Sequence, residues 1–123
     1  MTQLIAIFLG GGLGSLARFG VGKLVSTNFS GHFPLGTLSA NVLSCVVMGL
    51  ALGLYADKVL AEPWLRAFVV VGFCGGFSTF STFSLETQQL LRDGHTLAAV
   101  LNIAISVAFC IAILVWLTRQ PST

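Results

Sequence analysis

Charge is what this chain has least of. Only 8% of its 123 residues are charged, against about 25% in a soluble domain, while 55% are hydrophobic and mean hydropathy is +0.94. A chain this short leaves much of its surface facing solvent, so so few charges cannot wet it. A net charge of +2, spread thinly, is too small to imply an anionic polymer as partner, and a nucleic-acid-binding domain fits badly. Cysteine is equally uninformative for staples or metal clusters. Cys45, Cys74 and Cys110 are odd in number, sit in apolar runs and lack CxxC spacing, which reads as small buried hydrophobes. No nucleophile–base pair stands out, so an enzyme is not expected. Lipid is the solvent that fits.

What is present is long apolar runs. Crossing a hydrocarbon core of about 30 Å takes roughly 20 helical residues. Residues 4–25, 36–55, 65–91 and 96–117 satisfy this, and the apolar runs are continuous, which disfavours a β-barrel. The expected fold is an all-α membrane protein in which residues 1–123 form a single transmembrane domain. No basic residue precedes Leu4, and no convincing cleavage site follows Leu9, so the first run reads as a retained span and not a leader. The separators carry turn chemistry: Asn28, Gly31 and Pro34; then Asp57, Glu62 and Pro63; then a tight hairpin at Arg92-Asp93-Gly94-His95.

Four spans place both termini and the second loop on one side. That side holds Lys58, Arg66 and Arg119; the other holds Arg18, Lys23 and Arg92. Orientation follows Lys/Arg asymmetry, and the count here is balanced, which predicts insertion both ways round. The competing reading is that Arg18, inside the first span, is miscounted and a weak bias remains. Opposed copies would pair about a two-fold axis in the membrane plane, the arrangement that inverted-repeat transporters build covalently. An antiparallel homodimer is therefore expected.

The third span is the irregular one. Residues 72–84 read GFCGGFSTFSTFS, with Gly75-Gly76 followed by hydroxyls at Ser78, Thr79, Ser81, Thr82 and Ser84. Two readings stand. Glycines beside hydroxyls favour a helix broken mid-membrane, lining a watery cavity with freed carbonyls. Gly72 and Gly76 also make a GxxxG packing motif, as do Gly10 with Gly14 and Gly49 with Gly53. Phe73, Phe77, Phe80 and Phe83 form a stripe at helical spacing. It is either a packing ridge or a row of ring edges whose positive rims face an anion.

Polar residues on other spans extend the same choice. Asn41 has Thr37 four residues before it and Ser44 three after, and Asn102, Ser106 and Cys110 share a face of the fourth span. They serve either as interhelical hydrogen bonds or as an uncharged lining for an ion. Arg18 and Glu86 are the ionisable residues placed inside spans. Glu86 suits an interfacial position as well as a functional one; Arg18 either snorkels or gives a watery mouth a positive field. His32 and His95 fall in loops and receive no specific role.

Residues 11–19 (GGLGSLARF), 36–41 (GTLSAN) and 72–84 together resemble the helix signatures of the CrcB/Fluc fluoride channels, over essentially the whole chain. The resemblance implies a bacterial inner-membrane channel that passively exports fluoride, working as an antiparallel, dual-topology homodimer with two pores. It implies Phe80 and Phe83 as ring-edge phenylalanines, Asn41 as pore asparagine, and Asn102, Ser106 and Cys110 as a polar track. It further implies Arg18 near a vestibule, and Gly75 and Ser78 as carbonyl ligands of a central structural Na⁺. Thr37, Ser81 and Thr82 complete the expected pathway. The rival is a small dual-topology multidrug or cation exporter, which calls for an acidic residue deep in the first span; that span has none. An assembly protein without transport would leave the hydroxyl-rich segment unexplained.

Overall fold

The computed structural model describes residues 1–119. Its elements are helical throughout those residues, in the order α1 (Thr2–Asn28), α2 (Leu35–Leu54), α3 (Ala56–Ala61), α4 (Pro63–Arg66), a π-helical segment (Ala67–Cys74), α5 (Gly75–Phe77), α6 (Phe80–Arg92) and α7 (Thr96–Leu117). Four stretches are long and apolar enough to cross a membrane: α1, α2, Pro63–Arg92 and α7. These agree with the four expected runs to within three residues at each end. Large apolar side chains such as Leu4, Phe8, Leu97 and Trp116 point outward, as lipid-facing residues should. The molecule is a multi-pass membrane protein.

The second separator differs from expectation. Residues 56–61 coil into α3 instead of an open loop, and Pro63 starts α4 at a first-turn position, where its missing N–H costs nothing. The hairpin at residues 92–95 forms as read. Gly94 adopts φ +84°, the left-handed conformation glycine tolerates. His95 N–H then donates to the Leu90 carbonyl at 2.8 Å and Gly94 N–H to Leu91 at 3.2 Å, a Schellman closure.

Helix α1 lies against the π segment and α5 through bare backbone. A methyl group added at Gly14 would sit 2.2 Å from the Phe73 carbonyl oxygen, and one at Gly10 would sit 2.4 Å from that of Phe68. From the other side, a Cβ at Gly76 would meet the Gly11 carbonyl at 2.5 Å. The two GxxxG motifs thus interlock, and the packing reading of Gly72 and Gly76 holds. Gly49 and Gly53 make a second seam, against Leu117 at the end of α7.

Gly75 and Gly76 are helical, so the interruption falls two residues later than the glycines suggested. Ser78 (φ −84°, ψ 157°) and Thr79 (φ −151°, ψ 119°) are extended, separating α5 from α6. The phenylalanine stripe is divided there. Phe73 and Phe77 meet edge-on with centroids 5.6 Å apart, and Phe80 and Phe83 tilt together at 5.7 Å. Phe77 is buried at 5% exposure, whereas Phe80 is 80% exposed.

Candidate functional site

The interruption is held open by hydrogen bonds from the second span. In a continuing helix Thr79 N–H would donate to the Gly75 carbonyl. Here it donates to Asn41 Oδ1 at 2.8 Å, and Asn41 Nδ2 returns a bond to the Thr79 carbonyl at 3.3 Å. Thr79 itself caps α6: its hydroxyl accepts from Thr82 N–H at 3.1 Å, the geometry expected three residues past a threonine N-cap. Its side chain also lies 3.3 Å from the Ser81 hydroxyl. The Ser78 hydroxyl turns back to the Cys74 carbonyl at 2.7 Å. A threonine followed by the amphipathic run 80–92 was the sequence signal for this cap.

Two other polar residues of α2, Thr37 and Ser44, act in the same manner. Thr37 donates to Glu86 Oε1, and the buried Ser44 hydroxyl donates to the Cys74 carbonyl at 3.0 Å. Thr37, Asn41 and Ser44 therefore zip α2 to the third span at three heights. Asn41 was expected to offer two N–H donors to an ion; one of them is engaged with Thr79. Glu86 is half-buried and accepts from Thr37 close to the start of α2, a position that suits both of its expected roles.

The fourth-span row divides. Asn102, only 1% exposed, donates to Thr87 Oγ1 at 3.0 Å, and Thr87 donates to the Phe83 carbonyl at 2.8 Å. Ser106 donates to Asn102 Oδ1 at 3.4 Å. Asn102 thus fastens α7 to α6 from a buried position, while Ser106 and Cys110 reach a cavity. Thr87 was not singled out from the sequence, because one threonine on an amphipathic helix carries no signal of its own.

Two cavities organise the remainder. The larger, about 840 Å³, is lined by Arg18, Lys23, His32, Thr37, Thr79, Thr82 and Glu86 among others. Arg18 donates from Nε to the Gly76 carbonyl at 3.1 Å, which anchors the guanidinium on this wall. Lys23 lies over the Phe19 ring at 5.8 Å. The His32 and His95 rings stack at 4.1 Å, joining the first loop to the last hairpin, a contact that two isolated loop histidines do not foretell.

The smaller cavity, about 330 Å³, is lined by Asn41, Cys45, Ser78, Thr79, Phe80, Phe83, Ser106, Val107, Cys110 and Ile111. Six of the expected site residues therefore converge there: Asn41, Ser78, Phe80, Phe83, Ser106 and Cys110. Arg18, Thr37 and Thr82 line the larger cavity instead, and Thr79 is common to both. Gly75 and Ser81, both exposed, lie outside both linings, and so does Asn102, which is buried. Among the described residues no group of three or more His, Cys, Asp or Glu is placed to hold a metal ion.

Four apolar spans, a cationic mouth and a cleft walled by hydroxyl, amide and phenyl groups define a membrane protein built to handle a small ion. The family comparison agrees. A family model described as CrcB-like protein, Camphor Resistance (CrcB), matches residues 5–118. The chain is 35% identical over 127 residues to a fluoride-specific ion channel FluC of Serratia proteamaculans, covering 98% of this chain and 99% of that one. It is 42% identical over 123 residues to one from Hydrogenovibrio crunogenus, covering 98% and 93%, and 40% identical over 111 residues to one from Coxiella burnetii, covering 89% and 90%. The chain belongs to the CrcB family.

Proposed function

We propose that this protein is a fluoride-selective channel of the bacterial inner membrane, passively exporting fluoride and relieving its toxicity. The observation that carries this reading is the convergence of Asn41, Phe80, Phe83, Ser106 and Cys110 on one cleft beside a vestibule holding Arg18 and Lys23. Fluoride is small and strongly hydrated, so its passage needs donors that replace water. The free N–H of Asn41, the hydroxyl of Thr82 and the ring edges of Phe80 and Phe83 supply them weakly enough for the ion to leave. The vestibule cations raise the local anion concentration, and Thr79 marks the wall where vestibule meets cleft. Ser81 stands outside the lining and reaches it only through its hydroxyl contact with Thr79. A negative membrane potential drives the anion outward at about 2.3 kcal/mol per 100 mV, so no pump is required. A multidrug exporter is not supported: α1 carries no carboxylate.

The finer reading concerns assembly. A single copy leaves Phe80 exposed at the cleft, and an antiparallel second copy would cover it, consistent with the even Lys/Arg count. The pair would hold two pores. The interruption at Ser78–Thr79 lies, in this reading, at membrane depth, where only protein or an aqueous cavity tolerates it. A structural Na⁺ fits the same segment. Because Thr79 N–H is drawn to Asn41, the Gly75 carbonyl is released from its helical partner, and neutral carbonyl oxygens are the ligands a hard cation takes. Gly75 and Ser78 carbonyls would hold it, and the bound ion would stiffen the interruption and add positive field.

Purified protein in liposomes should dissipate a fluoride gradient and leave a chloride gradient intact; equal leakage of both ions sinks the channel reading. Adding two lysines to the hairpin at residues 92–95 should fix one orientation and leave a single expressed copy inactive. Full activity from that oriented copy alone would dismiss the antiparallel pair.

A further inference from the structure

We propose that Cys45 and Cys110 form a two-thiolate site for a soft, linearly coordinating metal ion, set in the wall of the cleft. Cys45 comes from α2 and Cys110 from α7, and both line the cavity that contains Asn41, Phe80, Phe83 and Ser106. Both residues are free and half-buried, and they face one another only across this shared lining of about 330 Å³. The spacing of their helices is fixed by Gly49 and Gly53, which admit Leu117 against bare backbone. Cys74 is different: it is fully buried, and its sulfur is directed at the Ser44 carbonyl, 3.7 Å away.

Thiolates select soft cations. With no third His, Cys, Asp or Glu ligand grouped beside them among the described residues, the pair does not suit zinc, which takes four ligands, and suits an ion content with two. Mercuric, silver and cuprous ions are of that class. With mercuric chloride the balance is simple. Each S–H gives its proton to solvent, both Hg–Cl bonds break, two S–Hg bonds form, and two chloride ions leave with no change of oxidation state. The bound ion spans the cleft between α2 and α7. That it also stops fluoride rests on the pathway reading above.

The probe is mercuric chloride, a neutral molecule able to enter through lipid, applied to full-length protein carrying Cys74→Ala. One mercury per chain should bind with release of two protons. It should withstand about a hundredfold more competing monothiol than mercury on Cys45→Ser or Cys110→Ser variants, because the second sulfur acts at high effective concentration. Two independent mercury ions per chain, or equal loss from all three proteins, would overturn the site. The binding measurement does not depend on transport. In liposomes, fluoride flux, expressed relative to each variant's own untreated rate, should fall to the protein-free leak in the two-thiol protein and persist in the single-thiol ones. Undiminished flux with mercury chelated would overturn the placement on the ion path. Absence of fluoride flux before any mercury is added would instead break the channel reading itself.

Discussion

The third span presents two different surfaces to its neighbours. Toward α1, Gly72 and Gly76 meet the backbone of Gly10 and Gly11, and Gly14 meets the backbone of Phe73 and Phe77. Toward α2 and α7 it presents the Glu86 carboxylate, the Thr87 hydroxyl and backbone groups of Cys74 and Thr79, bonded to Thr37, Asn102, Ser44 and Asn41 and flanked by a cleft. Association in lipid lacks a hydrophobic drive, so stability must come from close packing or from hydrogen bonds. One seam uses the first; the other uses the second and leaves a cleft of about 330 Å³.

The glycine seam should be the less forgiving of the two. In Gly14→Ala the new methyl would overlap the Phe73 carbonyl, a backbone atom that cannot rotate away. Overpacking of this kind costs about 1–3 kcal/mol, and a 2.2 Å approach places it at the upper end. Gly12→Ala, with no atom within 4 Å of the added carbon, should be neutral or slightly stabilising, since alanine is the better helix former by about 1 kcal/mol. Thermal unfolding followed by size-exclusion in detergent compares them. Equal stability of the two variants would mean that the seam does not require its glycines.

Asn41 tests the polar seam. In Asn41→Ala both the N–H and the carbonyl of Thr79 lose their partner, at about 1–3 kcal/mol for each group left buried and unpaired. Asn41→Asp keeps an oxygen to accept from Thr79 N–H while removing the amide donor. The aspartate variant should therefore retain more stability than the alanine variant, and both should lose fluoride flux. If Asn41→Asp conducts normally in liposomes, the amide serves the interruption alone and contributes nothing to the ion.

The span count and the hairpin were legible because apolar length and Gly94 act locally. The polar seam was only half legible. Spacing placed Thr37, Asn41 and Ser44 on one face, but which backbone groups they bind depends on where the third span leaves helical geometry. That point follows the Thr79 cap and the Asn41 clamp, not the Gly75-Gly76 pair, whose bare surface is used to approach α1. Likewise Asn102 and Ser106 share a helical face, yet the Thr87 hydroxyl draws Asn102 into a buried contact and leaves Ser106 at the cleft. The π-helical stretch 67–74 had no sequence signal, being an ordinary apolar run whose geometry arises against α1.

Phe80 gives the smallest expected effect on stability and the sharpest division between the seams. Within one chain it is 80% exposed and buries little, so Phe80→Ile should change the stability of the single-chain fold by no more than about 0.5 kcal/mol. Its ring nevertheless lines the cleft and tilts against Phe83 at 5.7 Å. An isoleucine of comparable bulk removes the positive ring edge and keeps the apolar volume, so fluoride flux from liposomes should collapse while the unfolding temperature stays in place. Phe83→Ile should behave alike in flux but lose more stability, because Phe83 is less exposed. Stability lost together with flux in Phe80→Ile would mean that the ring works as packing, and the cleft would then differ from the glycine seam only in composition. Flux lost alone separates them: one side of the third span holds the fold together, and the other is kept open for the ion.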